Sequence, residues 1–177
     1  MTTYLDHLRN AMTILGQIDN SVFLGQAVAY SGTGMTATFD GVPREKLIEF
    51  PVAEDMQMGV AIGLAMAGAI PVCVYPRMNF LLLAINQLVN HLDKLPIYGN
   101  GFRPRVLVRV AVATPEPLDP GPQHLGDFSD ALISMLRTVR VIPLVDAPQI
   151  VPAYYEAAQR NGSTVLVEYS GLYHYPE

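Results

Sequence analysis

The chain has 177 residues, half of them hydrophobic and 15% of them charged, with a formal net charge of −5. This length and composition predict one folded domain with a sizeable core and exclude a disordered chain. The 11 Lys and Arg residues are scattered, and Arg103, Arg105 and Arg109 form their only cluster. We expect this cluster to flank and punctuate a buried strand over 106–112, so nucleic acid is not predicted as a partner.

The cysteine content and the longest apolar stretch restrict the class of protein further. Cys73 is the only cysteine and lies in the apolar run IPVCVY, which predicts neither a disulfide framework nor a thiolate metal site and favours a reducing, cytoplasmic location. The uncharged stretch from Met56 to Tyr75 is interrupted by Pro71, so no membrane span is predicted. The four histidines lack metal-ligand spacing, and we predict no metal site.

Hydrophobic periodicity divides the chain into alternating helices and strands. In chain order, the predicted elements are a helix over 3–17, the strand SVFLG, a Gly-, Thr- and Ser-rich loop over 29–42, the strand KLIEF, a helix over 56–69, the strand PVCVY, a helix over 79–94, the strand RVLVRVAV, a Pro-rich loop over 114–127, a helix over 128–136, the strand VRVIPL, a helix over 148–159 and the strand STVLVEY. This alternation predicts an α/β three-layer sandwich with a mostly parallel sheet. The apolar set of 79–94 is too broad for one core-facing stripe, so part of it is expected to meet another subunit.

Candidate site residues follow strands directly, because in such sheets the chemistry lies beyond the carboxyl ends of the strands. They are Glu54 and the segments 75–80, 114–127 and 168–173. Glu54 and Asp55 also stand at a helix start, where a carboxylate gains about 0.3–1 kcal/mol from the helix dipole. A purely electrostatic role for them therefore stays open. His124 lies in a candidate loop, although a loop histidine taken alone is more often a surface residue than a catalyst.

Five segments in order resemble one known family. They are VFLGQAV, FPVAEDMQMGVAIGLAMAGAIPVCVY, NFLLLAINQLVNHLDK, GPQH and VLVEYSGLY. Together they resemble the pyrimidine-binding domain of thiamine diphosphate-dependent, transketolase-like enzymes, above all the beta subunits of 2-oxo acid dehydrogenase first components. The family usually has an acid where Gln26 stands, and Pro76 and Arg77 also depart from its usual residues.

This resemblance implies roles for individual residues. It maps Glu54 onto the catalytic glutamate that hydrogen-bonds a ring nitrogen of the cofactor's aminopyrimidine and shares a proton with it, which lets the cofactor's own amine deprotonate the thiazolium carbon. Phe80 is expected to pack on the pyrimidine, and Tyr75 and Pro76 to line the edge of that ring. His124 is expected to be the second catalytic residue, which binds a substrate carboxylate or shuttles protons.

One family motif has no counterpart in this sequence. The family's Gly-Asp-Gly segment and later Asn hold Mg²⁺ and the diphosphate, whereas Gly126-Asp127 is followed here by Phe128. The resemblance therefore implies a single pyrimidine-binding domain over 1–177, with neither a diphosphate-binding domain nor a C-terminal transketolase-type domain. A diphosphate-binding alpha-type subunit would complete the site, in an α2β2 heterotetramer.

The implied function is decarboxylation of a 2-oxo acid, ketol transfer or carboligation, with thiamine diphosphate as cofactor and a small 2-oxo acid or ketose as substrate. Because a fold does not fix a function, a non-catalytic subunit that uses this fold only for assembly is the alternative. A domain that binds some other small ligand is a further alternative, although it leaves the ordered series of motifs unexplained.

Overall fold

The computed structural model describes residues 2–98, 101–116 and 119–174, and within them six strands form one sheet. The strands are β1 Ser21–Gly25, β2 Leu47–Glu49, β3 Ile70–Tyr75, β4 Leu107–Val112, β5 Arg140–Pro143 and β6 Thr164–Tyr169. Their spatial order is β2-β1-β3-β4-β6-β5, and every neighbouring pair is parallel. The α-helices of the described residues are α1 Tyr4–Gly16, α2 Gly34–Ala37, α3 Glu54–Met66, α4 Met78–Leu83, α5 Leu95–Tyr98, α6 Ser129–Met135 and α7 Ile150–Gln159.

Helices cover both faces of this sheet. Residues of α1 and α7 form one hydrophobic cluster against it, and residues of α3, α4 and α6 form a second cluster on the opposite face. Because both faces are covered, β3 and β4 are buried along their whole length, as is typical of parallel sheets. Within the described ranges, no helix is both long enough and apolar enough to cross a membrane. The predicted α/β three-layer sandwich is confirmed.

Helix α1 shows how local sequence fixes an element boundary. The hydroxyl of Thr3 accepts a hydrogen bond from the backbone N–H of Asp6 at 3.2 Å, and the Asp6 carboxylate accepts one from the N–H of Thr3 at 3.0 Å. This reciprocal capping box satisfies two backbone donors that a helix start leaves without partners. The helix predicted over 3–17 is therefore confirmed to within one residue at each end.

Two predicted elements have different boundaries in the structure. The helix predicted over 56–69 begins earlier, at Glu54, and ends at Met66, because Gly68 adopts a φ of 92° that favours glycine and stops a helix. The loop predicted over 29–42 contains the short helix α2, whose first turn is capped by the Thr33 hydroxyl. Glu54 thus lies inside the helix rather than before it.

The helix predicted over 79–94 is not a continuous α-helix. After α4, residues Gln87–Leu92 form a π-helical segment, and the N–H of Asp93 donates to the carbonyl of Leu88 at 3.0 Å. The wider turn changes the direction of the following side chains, and Asp93 is fully buried. Leu82 and Leu83 are 39% and 62% exposed, and their contact with another subunit stays a prediction.

The Asp93 carboxylate holds the connection between α6 and β5. Its Oδ1 accepts from the backbone N–H groups of Arg137, Thr138 and Val139 at 2.9, 2.7 and 3.0 Å, and its Oδ2 accepts from Lys94 at 2.6 Å. Burial opposes the charged form, but the hydrogen bonds from Lys94 and from these backbone groups outweigh it and lower the pKa of Asp93 to about 2. The π-helical segment therefore places the Asp93 carboxylate beside three backbone N–H groups of the loop between α6 and β5.

We expect Asp93 to make the fold sensitive to acid. Because its pKa falls from 3.8 to about 2 on folding, it contributes about 2 kcal/mol to the free energy of unfolding at neutral pH. This contribution is present above the pKa of an unfolded aspartate and is lost as the pH falls through the folded pKa. Urea unfolding of Asp93→Asn, with the exposed Asp19→Asn as control, should show a deficit near pH 7 that shrinks toward pH ~2. A deficit that is constant with pH would contradict this assignment.

Candidate active site

A cleft of about 460 Å³ lies at the carboxyl edge of the sheet. Its lining residues include Gln26 after β1, Pro76 and Phe80 after β3, Thr114 after β4 and Tyr173 after β6. The parallel strands thus bring together the three loop segments that the sequence analysis named. This is the position that α/β sheets use for ligands.

Glu54 contacts the cleft through Gln26, which lines it. It is 5% exposed, and its Oε1 accepts a hydrogen bond from Nε2 of Gln26 at 3.1 Å. As the first residue of α3 it also lies where the helix dipole favours an anion. The neighbouring Asp55 is exposed and accepts instead from Nε2 of Gln87 at 3.3 Å. The two adjacent acids therefore have different surroundings, and only Glu54 contacts a residue of the cleft.

Tyr75 lies beneath Glu54 rather than on the cleft wall. Its side chain is fully buried, and its hydroxyl donates to the backbone carbonyl of Glu54 at 3.1 Å. Burial, together with the nearby Cys73 and Glu54, raises the pKa of Tyr75, so the hydroxyl stays a neutral donor. Of Tyr75 and Pro76, Pro76 is the one that lines the cleft, and the implied contact of each with the edge of the cofactor ring stays a prediction.

His124 contacts the cleft through Phe80. The two rings meet edge to face, with centroids 5.6 Å apart, and Nδ1 of His124 lies 2.9 Å from Oδ1 of Asn79. Because an amide oxygen only accepts hydrogen bonds, this contact places a proton on Nδ1 and leaves Nε2 of the neutral imidazole as an acceptor. Asn79 and Phe80, adjacent in α4, therefore fix the orientation of His124.

A buried ion pair supports the cleft from below. Arg109 of β4 and Glu168 of β6 are both fully buried, and the guanidinium donates from Nε to Oε2 at 2.9 Å and from Nη2 to Oε1 at 3.1 Å. Its Nη1 donates to the Thr38 hydroxyl at 2.7 Å, and the hydroxyl of Tyr173 donates to Glu168. Burial opposes the charged guanidinium, but the adjacent Glu168 outweighs it and raises the pKa of Arg109. Tyr173 thereby links this pair to the cleft.

Three of these contacts do not follow from the sequence patterns. Arg109 lies within a buried strand, as predicted. Its pairing with Glu168 joins two residues that are 59 positions apart in the chain. Gln26 stood out only as a departure from the family pattern, and its bond to Glu54 was not anticipated. The contact between His124 and Asn79 was likewise not anticipated, although both residues belong to the quoted motifs.

Comparison with known proteins identifies the family of this chain. The sequence matches the family described as "Transketolase, pyrimidine binding domain" over residues 1–175. The chain belongs to this family. The resemblance stated from the motifs is therefore confirmed, and it extends over almost the entire sequence.

Several relatives of this chain are larger proteins. The pyruvate dehydrogenase E1 component subunit beta of Chaetosphaeridium globosum is 30% identical over 166 residues, which cover 90% of this chain and 49% of the relative. The subunit of the same name from Gracilaria tenuistipitata var. liui is 36% identical over 109 residues, covering 59% and 34%. The 2-oxoisovalerate dehydrogenase subunit beta of Bacillus subtilis (strain 168) is 30% identical over 102 residues, covering 55% and 31%.

The fold also matches a solved structure, "Split gene transketolase, inactive beta4 tetramer", with a TM-score of 0.66 and 21% sequence identity. That match covers 100% of this chain and 53% of the solved chain. The chain thus spans about half, or less, of the length of the proteins that it resembles.

The residues around the cleft fit an aminopyrimidine ring. The Glu54 carboxylate offers an acceptor for a ring nitrogen, while Phe80 offers an aromatic surface and Pro76 an apolar one. Among residues 2–98, 101–116 and 119–174, no group of three or more His, Cys, Asp or Glu side chains could hold a metal ion.

Proposed function

We propose that this chain supplies the pyrimidine half of a thiamine diphosphate site in an enzyme that cleaves or forms a C–C bond next to a carbonyl. The substrate class is a small 2-oxo acid or ketose, and the reaction is decarboxylation, ketol transfer or carboligation. The observation that carries the proposal is the buried Glu54 carboxylate, which is hydrogen-bonded to Gln26 in the cleft that Phe80 also lines. A buried carboxylate and an aromatic side chain at one cleft, in a chain of this family, support an aminopyrimidine as the ligand.

Glu54 is the residue that holds and transfers a proton in this proposal. Of the described side chains, Gln26 is the one that donates to its carboxylate, at Oε1, so Oε2 is the oxygen assigned to the ring nitrogen. Tyr75 supports the start of α3 from below through its bond to the Glu54 carbonyl. When bound, thiamine diphosphate supplies the nucleophilic carbon and stores the electron pair that C–C cleavage releases. The contribution of this chain is placement and electrostatics.

Phe80 and His124 form the second part of the proposed site. Phe80 packs on the ring, and its edge-to-face contact holds His124 beside the reacting end. With its Nδ1 committed to Asn79, His124 can use Nε2 to bind a substrate carboxylate when protonated or to accept a proton when neutral. His124 is therefore assigned to the substrate rather than to cofactor affinity.

The His124→Ala variant is expected to lower kcat/KM about a hundredfold, because general acid–base groups contribute 10²–10⁴-fold. The dissociation constant of thiamine diphosphate should change less than about threefold, because His124 is assigned to substrate. Steady-state kinetics and calorimetry on the reconstituted complex separate the two effects. His7→Ala, in helix α1, is the control variant. A variant that loses cofactor affinity and turnover in parallel would remove the assigned role.

The proposal includes a second chain. Diphosphate and Mg²⁺ are assigned to an alpha-type partner with the Gly-Asp-Gly segment, in an α2β2 heterotetramer, and both chains are assigned to the cytoplasm. We expect the isolated chain to bind thiamine diphosphate at least about a hundredfold more weakly than the complex, because it lacks charge-assisted contacts to the diphosphate, each worth roughly 1.5–3 kcal/mol.

Co-purification with candidate partners, followed by calorimetric titration with thiamine diphosphate and Mg²⁺, tests this division of the site. Binding that needs both chains supports the proposal. Tight binding by this chain alone would overturn the division of the site between chains. A stable complex that ignores the cofactor would instead favour the non-catalytic alternative, in which the fold serves only assembly.

A further inference from the structure

We propose that Gln26 is a positioning residue for Glu54: its side-chain amide holds the carboxylate in the orientation that presents Oε2 to the cofactor and keeps the transferable proton off Oε1. This inference rests on the proposed function for its catalytic consequence. Its structural part, the hydrogen bond between the two side chains, stands without that function.

The chemistry of the contact assigns the donor. Gln26 lines the cleft and donates from Nε2 to Oε1 of Glu54 at 3.1 Å. An amide N–H has no acceptor capacity and does not take up a proton at ordinary pH. Oε1 is therefore held as an acceptor, and a proton on Glu54 is confined to Oε2. An acid at this position, as the family usually has, would carry or exchange a proton of its own.

The backbone around Gln26 is held in an uncommon conformation. Gly25 has a φ of 152°, and a Cβ there would collide with the carbonyl oxygen of Val74. Ala27 has a φ of 59°, a left-handed conformation that is strained for a residue other than glycine. Such strain persists only where the surrounding structure compensates for it. The turn that carries Gln26 therefore requires glycine before that residue and is strained after it.

Glu49 provides the compensation. Its carboxylate accepts from the backbone N–H groups of Ala27, Val28 and Ala29 at 2.8, 3.0 and 2.8 Å. Three charge-assisted hydrogen bonds hold the turn in place, and Glu49 is at the end of β2, next to β1 in the sheet. The sheet thus fixes Glu49, Glu49 fixes the turn, and the turn directs Gln26 to Glu54.

This arrangement predicts different outcomes for two substitutions of similar size. Gln26→Met removes the donor and leaves Oε1 of Glu54 without this partner at every pH. Gln26→Glu can still donate while its carboxyl is protonated, but it places a second negative charge beside Glu54 once it ionises, and like charges at this distance oppose each other. A residue that only fills space would give neither a loss in the methionine variant nor a pH dependence in the glutamate variant.

The first test uses the chain alone, without cofactor, and so does not depend on the proposed function. In ¹H–¹⁵N spectra, one Nε2 proton of Gln26, identified by its loss in Gln26→Met, should lie downfield in the wild type because it is bonded to a carboxylate. It should move upfield in Glu54→Gln, whose neutral amide oxygen is a weaker acceptor, and stay in place in Asp55→Asn. An amide proton with the same chemical shift in the wild type and in Glu54→Gln would overturn the assigned hydrogen bond.

The second test uses the complex with its partner, thiamine diphosphate and Mg²⁺. Gln26→Met is expected to lower kcat about tenfold or more at all pH values, as the loss of a hydrogen bond to a charged group predicts. Gln26→Glu should approach wild-type kcat at low pH and lose it as the pH rises. Cofactor affinity should change less than about threefold in both. The exposed Gln159→Met is the matched control and should behave as the wild type.

The outcomes separate the inference from the proposed function. If the wild-type complex turns over substrate and both Gln26 variants match it at all pH values, the positioning role is wrong and the proposed function stands. If the wild-type complex does not use thiamine diphosphate, the proposed function is wrong. The chemical shift of the Gln26 amide then decides by itself whether Gln26 orients Glu54.

Discussion

The Glu54→Gln variant is expected to fold like the wild type and to lose turnover in the reconstituted complex by at least about a hundredfold. The substitution changes the side chain's size very little and keeps an oxygen that can accept from Gln26. It removes the acidic proton, and proton transfer by a positioned group contributes 10²–10⁴-fold. Steady-state kinetics measure the loss, and thermal unfolding verifies that the fold is intact.

The adjacent Asp55 provides a matched control. Asp55→Asn changes the same functional group one residue further along α3, but Asp55 is exposed and contacts Gln87 rather than the cleft. It should retain nearly full activity. If helix-dipole electrostatics were the whole role of these acids, the two variants would behave alike, with small losses of stability of about 0.3–1 kcal/mol each. Substantial turnover by Glu54→Gln would remove Glu54 from the mechanism.

The second large effect is expected from the buried pair. Arg109→Met leaves the Glu168 carboxylate buried with the Tyr173 hydroxyl but without its cation. Breaking a buried ion pair in this way costs about 3–5 kcal/mol. For a domain of this size, that loss lowers Tm by roughly 10 °C. Calorimetry or urea unfolding of the chain measures it.

Two control variants separate the contribution of the ion pair to stability from the contributions of the neighbouring groups. The double variant Arg109→Met/Glu168→Gln should lose less stability than Arg109→Met, because no unpaired charge remains in the core. Tyr173→Phe removes one hydrogen bond to the carboxylate and should cost about 1.5–3 kcal/mol, less than the loss of the cation. A loss below about 1 kcal/mol in Arg109→Met would show that the core tolerates the isolated carboxylate and that the pair contributes little.

The α/β architecture and the element order were predictable because they depend on local patterns. Apolar runs such as IPVCVY indicate strands covered on both faces, and helix α1 carries its own capping box, so neither requires knowledge of distant residues. The helix over 79–94 was not predictable in detail. Its π-helical segment is stabilised by the contacts of Asp93 with the loop before β5, which is 44–46 residues further along the chain.

The candidate site, like the fold, was predictable only in the features that depend on local sequence. Motifs indicated Glu54, Phe80 and His124, because the residue types and their order resemble a family, and they indicated Pro76 only by its position after a strand. The burial of Tyr75 beneath Glu54 was not predictable, since the motif gives a residue's place in the chain and not the direction of its side chain. The bond between Gln26 and Glu54 likewise joins two residues 28 positions apart.

By itself, the sequence determined the fold class, the family and the segments that meet at the carboxyl edge of the sheet. Hydrophobic periodicity and motif order are properties of neighbouring residues, and they survive without knowledge of the packing. Only the tertiary structure decided which oxygen of Glu54 is occupied by Gln26, which nitrogen of His124 faces Asn79, and that Arg109 meets Glu168. Each of these contacts joins residues that are distant in the chain and that the strand order brings together. Polar groups shielded from water need hydrogen-bond partners, and here the partners come from other elements of the fold.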